Sequence, residues 1–217
     1  MKKLLIYSFL LLVGHLSAQS ILSPNDFLKH NIGEQFTPHH QLVDYYEHVA
    51  ENSPNVMLKY YGDTYEGRPL ILAFVSTPEN LAKLEDIRLN QLRRTGLEEG
   101  AVDESMNLAI TWVSFSVHGN EAAGSEASMP VLYELVATGN DRTKKWLENS
   151  IVILDPSINP DGYSRYTHWY RRYANRIPNT DLASLEHNEP WPNGRVNHYL
   201  FDLNRDSTCV TQAQSLF

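Results

Sequence analysis

The chain has 217 residues, 42% hydrophobic and 20% charged, with a formal net charge of −8 at pH 7. That is enough apolar material for one domain with a sizeable core, and the acidic balance argues against nucleic acid or an anionic lipid surface as a partner. A single cysteine, Cys209, excludes an internal disulfide framework; with no neighbour to activate it, it reads as structural.

Residues 1–18 have the order of a secretory signal peptide: Lys2 and Lys3, an apolar run from Leu4 to Val13, then small residues at Ser17 and Ala18. Cleavage is expected after Ala18. The run of 10 residues is too short to cross a bilayer core of about 30 Å, and no later segment is apolar for long enough. A secreted or periplasmic protein without a membrane span is therefore expected, with residues 19–37 as an N-terminal extension and 38–217 as the main domain. Loss of residues 1–18 leaves 16 basic against 26 acidic residues, a balance of −10.

In the main domain, Leu42, Tyr45, Tyr46 and Val49 recur at helical spacing in 38–54, after the start signal Thr37-Pro38. Residues 56–76 alternate, turn at Glu66-Gly67-Arg68-Pro69 and alternate again, as a hairpin does. Residues 77–96 form one complete helix pattern, from Pro78 to the basic pair Arg93-Arg94 and Gly96. A strand over 107–117 ends at His118; a helix over 122–137 and a short one at "DRTKKWLENS" follow. "IVILDPSINP" (151–160) begins as an apolar strand of the kind buried on both faces. The expectation is an α/β domain with a mixed, mostly parallel sheet flanked by helices. Ligands of such sheets sit beyond the carboxyl ends of strands, where His118 and the Asn159–Gly162 turn both fall.

His118 and Glu121, in "HGNE", stand three residues apart, so they can project to one side and chelate one metal ion. By itself H-x-x-E is weak, since nine histidines produce it by chance. A helix start with Glu121 complementing the dipole is the plainer reading of those four residues. The downstream segments "ILDPSINPDGYSRY" and "NGRVNHYLFDLNRDS" change this. With "HGNEAAGSE", "NPDG" and "GRVNHYLFDLNRD" in that order, and "YEGRPL" at 65–70, the chain resembles the zinc metallocarboxypeptidase family over about residues 38–206.

The resemblance implies zinc-dependent hydrolysis of C-terminal peptide bonds, with one Zn2+ ion and with peptide or protein C-termini as substrate. His118 and Glu121 would be two of three zinc ligands. Asn204 and Arg205 would hold the free carboxylate, which a guanidinium fork matches in bidentate geometry. Arg195 would polarise the scissile carbonyl, with Arg171 and Arg172 as competing candidates, and Asp202 would accept a hydrogen bond from His118 and fix its tautomer. Asn159 and Asp161 read as turn residues, and Gly119 and Gly124 as places of close backbone approach. His39 and His40 read as the polar side of a helix start, and His168, His187 and His198 as irregular sequence near the site. None of these histidines has ligand-like spacing.

The family's third zinc ligand is a histidine well after "DLNR", and its general base is a glutamate further on. The 12 residues after Arg205 contain neither. The third ligand and the base are therefore expected beyond residue 217, the domain is expected to be incomplete at its C-terminus, and the 217 residues alone are expected to hydrolyse little. Two other readings stay open: a non-catalytic module or decayed enzyme that binds peptide C-termini, and a cell-wall peptide-cleaving amidase or peptidase of the same family.

Overall fold

The structure, a computed structural model, describes residues 20–137 and 139–215. The proposed signal peptide lies outside the described residues. The sheet is built on two alternating strands and an apolar one. Strand β1 (Val56–Asp63) pairs antiparallel with β2 (Pro69–Val75). β2 pairs antiparallel with β4 (Ser150–Asp155), and β4 pairs parallel with β3 (Ala109–Ser114), in the order β1-β2-β4-β3. The mixed α/β architecture is the expected one. Among the described strands, however, only the β3–β4 pairing is parallel.

Alternation explains the two cores. Ile71, Ala73 and Val75 of β2 and Leu154 of β4 face one apolar cluster; Leu72 of β2 with Ile151 and Ile153 of β4 face the other. Helix α2 (His39–Asn52) covers the first face with Leu42, Tyr45, Tyr46 and Val49, at i, i+3, i+4 and i+7 and all fully buried. The two buried phenols keep partners: Tyr45 donates to the Leu22 carbonyl and Tyr46 to that of Ser128. Helix α1 (Pro24–Leu28) adds Leu28 and Phe27 to the same cluster, so residues 20–37 pack on the core of the rest. Helices α5 (Ala123–Val136) and α6 (Asp141–Asn149) complete that layer with Met129, Leu132 and Leu147. β3 forms the sheet edge, with Ile110 and Trp112 nearly half exposed.

Four expectations are corrected. The pattern over 77–96 is two helices, α3 (Pro78–Ala82) and α4 (Leu84–Arg94), broken at Lys83. Each is fastened to a different neighbour: Asn80 of α3 donates to the Leu147 carbonyl, while Asn90 of α4 exchanges two hydrogen bonds with the Asp103 backbone. Second, Asn159-Pro160-Asp161-Gly162 is not an isolated turn but the start of helix α7 (Pro160–Tyr173). Asn159 caps it by accepting from the Gly162 N–H at 3.0 Å, and Pro160 occupies the position that needs no donor. His168 therefore lies on a helix. Third, His39 is buried and its Nε2 meets the Pro69 carbonyl at 3.1 Å; burial pushes its pKa down to about 4. Fourth, Cys209, read as structural, is exposed and free.

Asp155 ends β4 fully buried, its carboxylate reached by the Ser157 N–H at 3.2 Å and the Tyr61 hydroxyl at 3.3 Å. Burial raises its pKa to about 7 against those two bonds. An unfolded aspartate ionises near pH 4, so between pH 4 and 7 the folded state holds the extra proton. Stability is lost as pH rises through that window and is level above it. Asp155→Asn removes the titration, so its stability relative to wild type is expected to rise between pH 4 and 7 by up to about 4 kcal/mol. Urea melts across that range check this; a constant difference would refute it.

Candidate metal centre

Beyond β3 the parallel ladder continues: the Phe115 N–H donates to the Asp155 carbonyl, and the Ile158 N–H to that of Phe115. Ser116 then adopts a left-handed backbone (φ 48°), and its hydroxyl donates to the Glu121 carbonyl while accepting from the Ser125 N–H. The next turn closes with the Glu121 N–H on the His118 carbonyl at 3.0 Å. His118 and Glu121 are thereby held on one turn, ahead of α5 rather than inside it. His118 is buried, and the Glu121 side chain is 65% exposed.

The glycines decide where this turn sits. A Cβ on Gly119 would stand 2.0 Å from the Tyr163 nitrogen, and one on Gly162 would stand 2.3 Å from the Gly194 carbonyl oxygen. The "HGNE" turn, the start of α7 and the "NGR" loop thus meet backbone to backbone. Gly124 is different: the nearest atoms to its Cβ position are at 3.5 Å, an ordinary contact.

Through that contact the loop delivers Arg195 and Asp202. Asp202 Oδ1 lies 3.0 Å from His118 Nε2, and Oδ2 accepts from Arg195 Nε at 3.1 Å and Nη2 at 2.9 Å. Burial pushes the Asp202 carboxyl up, but the bonds from Arg195 and His118 outweigh it and hold it below the usual carboxylate range. An anionic Asp202 draws the imidazole proton to Nε2, which leaves the Nδ1 lone pair free. With the proton on Nε2, Nδ1 and Glu121 Oε1, 3.1 Å apart, present lone pairs to one point. Ligands about 2.0–2.2 Å from a tetrahedral ion stand roughly 3.3–3.6 Å apart, so a small opening of this pair would admit a zinc ion. Among the described residues no group of three or more His, Cys, Asp or Glu side chains could hold a metal ion. Arg195 Nη1 lies 3.5 Å from His118 Nδ1, and its side chain is 41% exposed, open beside the pair.

The other singled-out residues are placed as follows. Asn204 and Arg205 are exposed in a short 3-10 turn capped by Asp202, where Arg205 Nη1 donates to the Asn204 carbonyl at 3.1 Å. Arg171 and Arg172 end α7 and are exposed, with Arg172 over the Tyr173 ring. Asp161 is buried, accepting from Thr64 and Arg68. Asn159 donates from Nδ2 to the Arg195 carbonyl at 3.2 Å, a link that its reading as a turn residue did not contain. His187 meets the Asn179 carbonyl, and His198 pairs with Glu66. Two residues were missed: Glu189, which accepts from Gly194 N–H and Asn120 Nδ2, and Arg165, which reaches the loop's carbonyls. Arg165 stands in "NPDGYSRY", three residues after Gly162, but its partners are backbone carbonyls, which carry no side-chain signal; Glu189 belongs to no motif.

A family model described as zinc carboxypeptidase matches residues 42–212. A metallo-carboxypeptidase from Burkholderia cenocepacia is similar in structure, with 15% identity and a TM-score of 0.52, over 84% of this chain and 36% of that one. The carboxypeptidase A from Helicoverpa armigera is 19% identical over 60% of this chain and 26% of its own, with a TM-score of 0.44. The chain thus spans about a third of the length of these structures or less. A comparison with curated proteins finds no match.

Proposed function

Because the chain belongs to the zinc carboxypeptidase family, we propose that it serves the removal of C-terminal residues from peptides in an exported protein, with His118 and Glu121 as two ligands of one zinc ion. The observation that carries this is His118 Nδ1 and Glu121 Oε1 facing each other at 3.1 Å while Asp202 lies 3.0 Å from the far nitrogen of the imidazole. Zinc in such a site supplies Lewis acidity and an acidified water. A catalytic zinc site takes a third protein ligand and a proton acceptor as well, which the described residues do not group with this pair.

The chain's own residues have separable tasks. Asp202 orients His118 and keeps its Nδ1 unprotonated toward the ion. Arg195, gripped by Asp202 along one edge, offers Nη1 to the scissile carbonyl oxygen and to the negative charge that develops there. A donor in that role contributes about 10²–10³ in rate. Asn204 and Arg205, exposed on the same loop, recognise the free C-terminal carboxylate. That requirement makes the reaction an exopeptidase one. A non-catalytic binder of peptide C-termini, which needs only Arg195, Asn204 and Arg205, is the second reading, favoured by the exposure of Asn204 and Arg205. Matched peptides with a free and an amidated C-terminus separate these readings: zinc-dependent release of the last residue from the free form alone supports the enzyme, and binding without release supports the binder.

A further inference from the structure

Arg165 stands on α7, and its guanidinium leaves that helix to meet the loop that carries Arg195. Nη1 donates to the Asn193 carbonyl at 2.8 Å and the Val196 carbonyl at 3.2 Å, and Nη2 donates to the Asn197 carbonyl at 3.3 Å. These three carbonyls straddle Arg195, whose own carbonyl is taken by Asn159. Three carbonyl oxygens converging on one place repel one another unless a cation with several donors fills it. A planar fork with five N–H groups does so, and a lysine ammonium matches it poorly.

The far side of this guanidinium is also set. Glu66, in the turn between β1 and β2, lies 4.0 Å from Arg165 Nη2. The same carboxylate accepts from Arg68 at 2.5 Å and pairs with His198 at 3.1 Å. His198 belongs to the Arg195 loop, so Glu66 holds that loop both directly and through Arg165. The loop's inner turn is closed by Asn197, whose side-chain oxygen accepts from the N–H groups of Tyr199 and Phe201. Asp202 follows one residue after that closure.

We infer that Arg165, backed by Glu66, is a positioning residue: by binding the three carbonyls around Arg195 it fixes the loop so that Arg195 meets Asp202 and His118. This rests on the proposed role of Arg195, but the geometry is separate from it. Misplacing such a group by about 1 Å costs roughly 10² in rate.

The test uses the Arg195 Nε–H, which is bonded to Asp202 and has its own NMR signal. In Arg165→Ala, hydrogen exchange of that proton and of the Asn197 and Phe201 amides is expected to rise about tenfold or more, as for the loss of a charge-assisted hydrogen bond. The Ala73 and Leu154 amides in the sheet should stay within about twofold, because local opening leaves the core closed. Arg165→Lys should restore protection only in part, and it remains informative if the alanine variant does not fold. Unchanged Arg195 exchange in either variant would overturn the inference, as would an equal rise in the core amides, which marks a general stability role. These readouts need neither zinc nor peptide, so failure of the natural protein to hydrolyse with zinc present would sink the proposed function and leave this test standing. If wild type does hydrolyse, kcat should fall in Arg165→Ala while the core stays protected.

Discussion

Gly119→Ala is expected to destabilise the fold by more than about 3 kcal/mol, beyond the usual cost of an overpacked side chain. A methyl there would stand 2.0 Å from a backbone nitrogen and 2.1 Å from the Gly162 carbonyl carbon. Backbone at the first turn of a helix cannot swing aside as a side-chain tip can. The clash has a second consequence, because the "HGNE" turn and the "NGR" loop meet through that helix start. Pushing Gly119 away from Gly162 separates His118 from Asp202 as well. Gly124→Ala is the contrasting variant: its Cβ position has ordinary clearance and lies inside α5, where alanine is the better helix former by up to about 1 kcal/mol. Urea unfolding of both variants checks the pair. Similar stabilities would mean that the backbone contact is not as close as described.

His118→Ala is expected to abolish zinc binding, and Asp202→Ala to weaken it by about 10–100-fold, the usual loss when the partner of a ligating histidine is removed. The first removes the buried member of the pair and leaves Glu121, mostly exposed, as its one remaining donor. The second leaves the pair in place but frees the imidazole to rotate and to carry its proton on Nδ1, where the proposed ion would bind. It also releases Arg195, which makes two hydrogen bonds to the same carboxylate oxygen. Competition titration against a zinc chelator of known affinity measures both variants. Wild-type affinity in Asp202→Ala would show that the contact at 3.0 Å does not set the tautomer.

The helical face of Leu42, Tyr45, Tyr46 and Val49 and the apolar strand at 151–154 were legible because burial on one or two faces imposes a period. The closeness of His118 and Glu121 was legible because three-residue spacing on a turn is local geometry. Asn159-Pro160-Asp161-Gly162 was read as a turn because a helix start uses the same residues; only the later run, with Arg171 and Arg172 at its end, distinguishes them. The break at Lys83 had no local signal, since it arises from Asn80 and Asn90 being fastened to different parts of the molecule. His39 turned inward for a similar reason, its partner being the Pro69 carbonyl across the layer. Spacing could not tell Gly119 from Gly124, because what separates them is a helix that begins only at Pro160. Arg165 binds carbonyls, which every residue carries, so no pattern of side chains announces it.

The most direct measurement is the fate of one peptide in two forms, with a free C-terminal carboxylate and as the amide, incubated with the natural protein and zinc. The expected result is release of the last amino acid from the free form alone, abolished by a zinc chelator and by His118→Ala. Release from both forms, cleavage inside the peptide, or no cleavage at all would contradict a zinc carboxypeptidase built on His118, Glu121 and Arg195.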